Sequence, residues 1–508
     1  MTGNARKIQD FFQISVRICG KSLAFSLIYF YNEPKYLKGG IPMNSNITPE
    51  NRPVTHRRRK RSKLKTFKEA YLPAVLAVGV VILIVVFISG SIGNANKKKQ
   101  DALEASIAAE NAKQEAYAAL VKESEALMAE AAPFADRYDY DGAMAVLDWF
   151  TGNRQEFAAL NDLYESYANA KGQMVAWTDP AAVPNLSFQL LIADPGRAFT
   201  DATYKNSFDR NFVTTEEFSK ILTSLYENGY ILVSLDDIVE ATGTGYAPKT
   251  LYLPAGKKPL LLTQTNVNYS LYLVDSDGDM IADQNGSGFA SRLVVDKNGN
   301  VTCEMVDAYG NLVTGAFDLV PILDDFIKLH PDFSYRGAKA TLALTGYNGL
   351  FGYRTHASAK NKLGETAYNK EIGGAKAVAQ ALKNSGYTLA CYTYENINYG
   401  NATLTRIEKD MNNWRAEVEP ILGQLDTLVF AQNNDIAPNT DSYTGEKAWF
   451  LQQQGFRRYL GFCTTGTTWA TLKEDYMRMG RLLVGGDNIR NHADWFEGIF
   501  DCENLLDR

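Results

Sequence analysis

Two short segments concentrate the polar side chains that stand at predicted strand ends, TQTNVNY at Thr263 to Tyr269 and LACYTYEN at Leu389 to Asn396. One face of a parallel α/β scaffold, where the strands end, is where reactive groups gather. Here that face receives Thr265, Asn266, Tyr392 and Asn396, which are a hydroxyl, a phenol and two carboxamides. None is a usual zinc ligand, and a threonine hydroxyl cannot serve as a base near neutral pH. What these groups suit is hydrogen bonding to a neutral, hydroxyl-rich ligand.

The surrounding residues point the same way. Tyr269, Tyr353, Tyr392, Tyr394 and Tyr399 offer rings whose faces match the apolar C–H surface of a sugar and whose hydroxyls match its rim, with core or rim packing the competing reading for about half of them. Arg354, in GYRT, reads as a buried cation that needs an anionic or carbonyl partner. The substrate-binding candidates are therefore Asn266, Tyr269, Tyr353, Arg354, Tyr392, Tyr394 and Asn396. A rebuilt metal site elsewhere is disfavoured, because His56, His330, His356 and His492 have no H-x-H or H-x-x-x-H spacing and read as isolated, mostly surface residues. In DSDGDMIAD, Asp275, Asp277, Asp279 and Asp283 approach the oxygen spacing of a calcium loop. Calcium wants six to eight oxygens, no terminal glutamate follows and Gly278 falls early, so a solvated acidic turn is the competing reading. Cys391 lacks an activating histidine nearby and reads as an inert buried thiol. Cys391 and Cys463 each close a predicted strand, and free thiols are favoured over a disulfide there.

Helices and strands must position these groups, and one unit recurs three times. VTTEEFSKILTSLYENGYILVSL opens with a capping box at Thr214 and Glu217, runs Phe218, Ile221, Leu222 and Leu225 down one face, stops at Asn228-Gly229 and enters a β-rich run. The order helix, glycine, aromatic, strand returns around Gly386 and Gly455. Further buried-type strands are LYL with PLLLT near Leu251 to Thr263, ATLALTGY at Ala340 to Tyr347 and DTLVFA at Asp426 to Ala431. Strands alternating with helices predict a parallel α/β sheet or barrel. Asn298-Gly299 and Gly310-Asn311 mark a β excursion on its rim.

The 508 residues, 45% hydrophobic and 12% aromatic, allow two or three domains with a large core. Charge is split. Residues 1–94 hold 15 Lys+Arg against 4 Asp+Glu, and the remainder holds 37 against 54. Between Ala70 and Asn96 there is no charge, and the 23 apolar residues from Tyr71 to Gly93 are long enough to cross about 30 Å of hydrocarbon. The basic run HRRRKRSKLKTFK before them places residues 1–69 in the cytoplasm and the acidic bulk outside the cell. The predicted organisation is a basic tail (1–69, with Met43 as the suspected start), a transmembrane helix (70–96), a helical stalk and hairpin (97–173) and an α/β barrel (174–508). The hairpin resembles one unit of a tetratricopeptide-type array. The acidic exterior argues against nucleic acid as a partner, since it would repel phosphate.

The runs VPNLSFQLLIADPGRAF, PLLLTQTNVNYSLYL, HPDFSYRGAKATLALTGYNGLFGYRT, LACYTYENIN and NNWRAEVEPILGQLDTLVFAQNNDI resemble the polysaccharide deacetylase (NodB-homology) family, in its large membrane-anchored Gram-positive form. The resemblance covers roughly Trp177 to the C-terminus and implies a distorted (β/α) barrel with fewer strands than a TIM barrel. It also implies a zinc-type ion, an Asp-Asp pair of base and ligand, and a later pair of histidines. In this sequence Thr265 and Asn266 fall at the Asp-Asp positions and Tyr392 and Asn396 within the histidine motif, while Asn185 and Gln189 stand where relatives often show histidine. The expected protein has no zinc at the family site and no catalytic residues there, and it is a pseudoenzyme of the cell membrane that binds or organises envelope polysaccharide. The alternatives are an active metal-dependent N- or O-deacetylase with a non-standard site, and a structural envelope partner.

Overall fold

The computed structural model describes residues 14–18, 21–25 and 93–508, apart from 244, 440 and 507. Contacts divide the chain into two units, Met1–Gln100 and Asp101–Arg508. In the first unit Ile14–Ile18 and Lys21–Phe25 pair antiparallel. Met43, the basic run and the apolar segment up to residue 92 lie outside the described residues. Among the described residues no helix is long and apolar enough to cross a membrane.

Helix α1 (Gly93–Ala135) follows from its alanine-, glutamate- and lysine-rich sequence. It runs through Pro133, near its C-terminal end. Helices α2 (Tyr140–Leu147) and α3 (Ala158–Gly172) form the hairpin, and Asp139 caps α2 by accepting from the Gly142 amide at 3.2 Å. Val146, Leu147, Phe157 and Leu160 pack on Leu127 and Ala131 of α1, so the hairpin covers its apolar face with the long helix.

Seven parallel strands close into a ring: β1 (Asn185–Phe188), β2 (Lys258–Thr265), β3 (Thr341–Leu344), β4 (Thr388–Cys391), β5 (Thr427–Val429), β6 (Arg458–Phe462) and β7 (Met477–Leu483). Neighbours in space are neighbours in the ring sequence, and β7 closes on β1 through Leu482↔Leu186 and Leu483↔Ser187. The architecture is therefore an α/β barrel. Alternation along each strand sorts the side chains. Leu186, Phe188, Leu262, Leu342, Leu344, Leu428 and Phe430 join the core shared with the helices, whereas Leu261, Ala343, Ala390, Tyr392, Val429, Leu460, Met477 and Met479 fill a second cluster inside the ring.

The recurring unit is present three times. Its first helix, α4 (Thr215–Glu227), carries the full capping box, with Thr214 N donating to Glu217 at 2.7 Å and Glu217 N donating to Thr214 at 3.1 Å. Gly386 shows why glycine is required at the turn: its φ is +100°, and a Cβ there would sit 2.2 Å from the Gly337 carbonyl oxygen. The strand after α4, Tyr230–Leu232, is not a ring member. It pairs with the first half of β2 and leaves Thr263–Thr265 to β3. Leu251–Leu253, expected in the barrel, instead pairs antiparallel with Val175–Trp177 outside it. The β excursion after β2 is a three-stranded antiparallel sheet, Arg292–Val295, Val301–Val306 and Leu312–Gly315.

Candidate functional site

Strands β1 and β2 place four singled-out residues along one seam: Asn185 opens β1, Gln189 follows its end, and Thr265 and Asn266 stand at the end of β2. Parallel pairing sets Asn185 opposite Leu261 and Ser187 opposite Thr263. The Thr263 hydroxyl donates to Asn185 Oδ1 at 2.8 Å, the Thr265 hydroxyl to the Phe188 carbonyl at 3.2 Å, and Asn266 Nδ2 to Gln189 Oε1 at 2.9 Å. Neutral side chains thus satisfy one another across the two strands where the resemblance implies charged ones. A buried carboxylate left there without an ion would cost several kcal/mol, and hydroxyl and amide groups avoid that.

Tyr392, just past β4, is fully buried inside the ring. Burial pushes its phenol up, while the Arg481 guanidinium, the Gln432 amide and the Thr265 hydroxyl oppose that rise. Arg481 belongs to β7 and is 1% exposed. Its Nε donates to the Gly461 carbonyl at 3.0 Å, Nη1 to Ser187 Oγ at 2.9 Å and Nη2 to the Phe430 carbonyl at 3.0 Å, which ties β6, β1 and the end of β5 together. Burial lowers its pKa. The carboxylate among its electrostatic neighbours, Asp435, is ion-paired at 2.8 Å with Arg478 instead. Sequence reasoning did not single out Arg481 or Ser187, because the two arginines in MRMGRLL interrupt the apolar run that would mark a seventh strand.

Backbone strain gathers on the same face. Twelve described non-glycine residues have positive φ, and eight of them follow β2 to β5: Asn266, Tyr269, Asn348, Phe351, Thr393, Asn396, Gln432 and Asn433. Each such residue costs on the order of 1–3 kcal/mol and persists where the surrounding structure holds it. The loops at this end are therefore shaped by more than connection.

The remaining candidates divide. Tyr269 is fully buried, and its hydroxyl donates to Asp318 at 2.5 Å. Tyr394 and Tyr399 are buried and donate to Glu417 and Asp410, both at 2.6 Å. These rings present no stacking face. Tyr353 is half-buried under the Arg292 guanidinium, 4.9 Å away. Arg354 is 3% exposed and finds carbonyl partners, donating to Tyr269 O at 3.0 Å and Asn348 O at 3.1 Å. Its pKa is pushed down to about 10 by burial first and by Arg292 next. Asn396 accepts from Gln432 through its backbone carbonyl at 2.8 Å, and its side-chain oxygen is buried without a donor. The exposed aromatic ring on the loop after β3 is Tyr347, which no sequence signal separated from its neighbours.

Two further expectations meet the structure. The carboxylates of Asp275, Asp277 and Asp283 converge within 4.8 Å, and Asp279 stays out of the group. Loop amides already occupy them: Gly278 N donates to Asp275 at 2.6 Å, Met280 N to Asp275 at 2.8 Å and Ser276 N to Asp283 at 2.7 Å. His356, read as a surface residue, is 8% exposed, and burial and Arg354 push its pKa down. Cys303, Cys391 and Cys463 are buried free thiols, and burial pushes Cys463 up to about 12.

A ring of seven parallel strands with helices outside it, and with strained loops and polar groups collected at its C-terminal end, defines a (β/α) barrel of the class that carries sites at that end. No family model and no curated protein matches the chain. Among solved structures it is similar to one titled Streptococcus pyogenes deacetylase PplD in complex with acetate, at 11% identity and a TM-score of 0.31, over 60% of this chain and 93% of that one.

Proposed function

We propose that the chain is a membrane-anchored exterior protein with a barrel of polysaccharide deacetylase type that holds cell-envelope glycan without hydrolysing it. The observation that carries this reading is the Arg481 guanidinium, buried among neutral hydroxyl, phenol and amide groups at the strand ends. Amide deacetylation needs a metal held by about three ligands, with a carboxylate to take the proton. A fixed cation in a low-dielectric lumen opposes a second cation there, and Thr265, Asn266, Tyr392 and Asn396 supply neither the ligands nor the base. Gln189, Asn266 and Asn396 are the partly exposed groups that would meet glycan hydroxyls at the rim.

The test uses the full chain purified in detergent. Zinc content by mass spectrometry is expected to be substoichiometric, and acetylated chitooligosaccharide and peptidoglycan are expected to release no acetate, while purified cell wall retains the protein. Stoichiometric zinc together with acetate release would establish an active deacetylase instead, and passage through the cell wall without retention would leave a structural envelope partner. Protease added to intact cells is expected to degrade residues 100–508.

A further inference from the structure

At the opposite end of the barrel, a polar and aromatic concavity lies in the seam between the helical hairpin and the turn Tyr335–Gly337 that leads into β3. Its volume is about 150 Å³, below the roughly 300–1,000 Å³ of drug-sized sites, which leaves room for one ring and not for a chain. Tyr138 and Tyr140 line it from the hairpin, Tyr335 from the barrel and Tyr252 from the strand Leu251–Leu253. Tyr252, 51% exposed, is the most accessible of the four rings.

The charged groups in this seam balance. Lys171 pairs with Asp141, and Arg336 reaches Asp141 and Asp139, both at 3.3 Å. Two carboxylates and two cations leave no net charge to select an ion, but they supply both donors and acceptors beside the rings. The Tyr138 hydroxyl donates to Asp332 at 3.4 Å, and burial pushes both the Tyr138 and Tyr335 phenols up from their ordinary value. Two strained residues also meet here. Tyr138 and Arg336 have φ of +62° and +52°, and the Arg336 amide donates to the Arg137 carbonyl at 3.0 Å. Neither is a residue that enters this region readily, and the docking of hairpin on barrel holds them there.

We propose that this seam binds one neutral pyranose ring of a glycan, with Tyr252 stacking on its C–H face and Asp141, Lys171 and Arg336 hydrogen-bonding its hydroxyls. The proposal is independent of the reading of the C-terminal mouth, and the two are separable by experiment. Calorimetric titration of the full chain with chitotetraose and with cellotetraose, in an Asn266→Ala background that removes the mouth's contribution, is expected to show saturable binding of at least one. Tyr252→Ala is expected to weaken it at least fivefold with an unmoved thermal midpoint, and Lys171→Ala to weaken it as well. Tyr309→Ala, on the distant three-stranded sheet, serves as the exposed-tyrosine control and should leave it unchanged. Absence of heat with both oligosaccharides, or equal affinity of Tyr252→Ala and its parent, would overturn the proposal. Cell-wall retention lost in Asn266→Ala alone, with both seam variants unaffected, would sink the seam and leave the mouth reading standing.

Discussion

Replacing Arg481 by methionine keeps most of the aliphatic stem and removes the guanidinium. Three acceptors on three elements then lose their donors: Ser187 Oγ, the Phe430 carbonyl and the Gly461 carbonyl. Hydrogen bonds to a charged group are worth about 1.5–3 kcal/mol each. Against that loss stands the relief of burying an ion, itself several kcal/mol, which no ion pair offsets in the native barrel. The net expectation is a destabilisation of about 2–4 kcal/mol, because the orphaned acceptors remain buried while the desolvation cost disappears. In a unit of this size each kcal/mol moves the thermal midpoint by about 1–3 °C. Differential scanning fluorimetry of the full chain in detergent should therefore show a fall of roughly 2–12 °C. Ser187→Ala, which removes one acceptor and leaves Nη1 short of a partner, should give a smaller fall in the same direction. An Arg481→Met protein as stable as its parent, or more so, would refute the idea that the guanidinium holds the lumen together. It would show that the barrel tolerates the cation and does not depend on it.

Asp318 is fully buried and accepts from Leu191 N at 2.9 Å, Gln264 Nε2 at 2.7 Å and the Tyr269 hydroxyl at 2.5 Å. Asp318→Ala should cost about 3–5 kcal/mol by orphaning these donors, whereas Asp318→Asn should cost about 1 kcal/mol because the tyrosine hydroxyl can turn and accept; equal midpoints for the two would contradict this. Burial raises the Asp318 pKa above the ordinary 3.8, so its folded form binds the extra proton and its contribution to stability falls as pH rises through that window; the Asn variant should lack this part of the profile. His356 works in the opposite sense. Its folded pKa lies below 6.5, because burial and Arg354 outweigh Glu417. The stability it contributes is present above pH 6.5 and is lost as pH falls from there through the lowered value. His356→Gln should flatten the unfolding profile in that range, and an unchanged slope would place the titration elsewhere.

Periodicity and turn chemistry alone carried the alternating architecture. The capping box at Thr214, the helix stops at Gly229, Gly386 and Gly455 and the buried strands near Leu261, Leu342 and Leu428 are local signals, set by backbone conformation and by which face must leave water. Ring membership was not legible, because a three-residue apolar run reads the same whether it joins the barrel, as Thr427–Val429 does, or lies beside it, as Tyr230–Leu232 and Leu251–Leu253 do. Only pairing partners decide that. The strand ends and their neutral residues were visible in the chain, but the direction of each tyrosine was not. Tyr269, Tyr394 and Tyr399 turn inward because carboxylates of other segments, the buried Asp318 and Asp410 and the partly exposed Glu417, accept from their hydroxyls. Arg481 shows the limit most plainly. Its residue type argued for the surface, and closing β7 onto β1 surrounds it with three acceptors that no stretch of sequence places together.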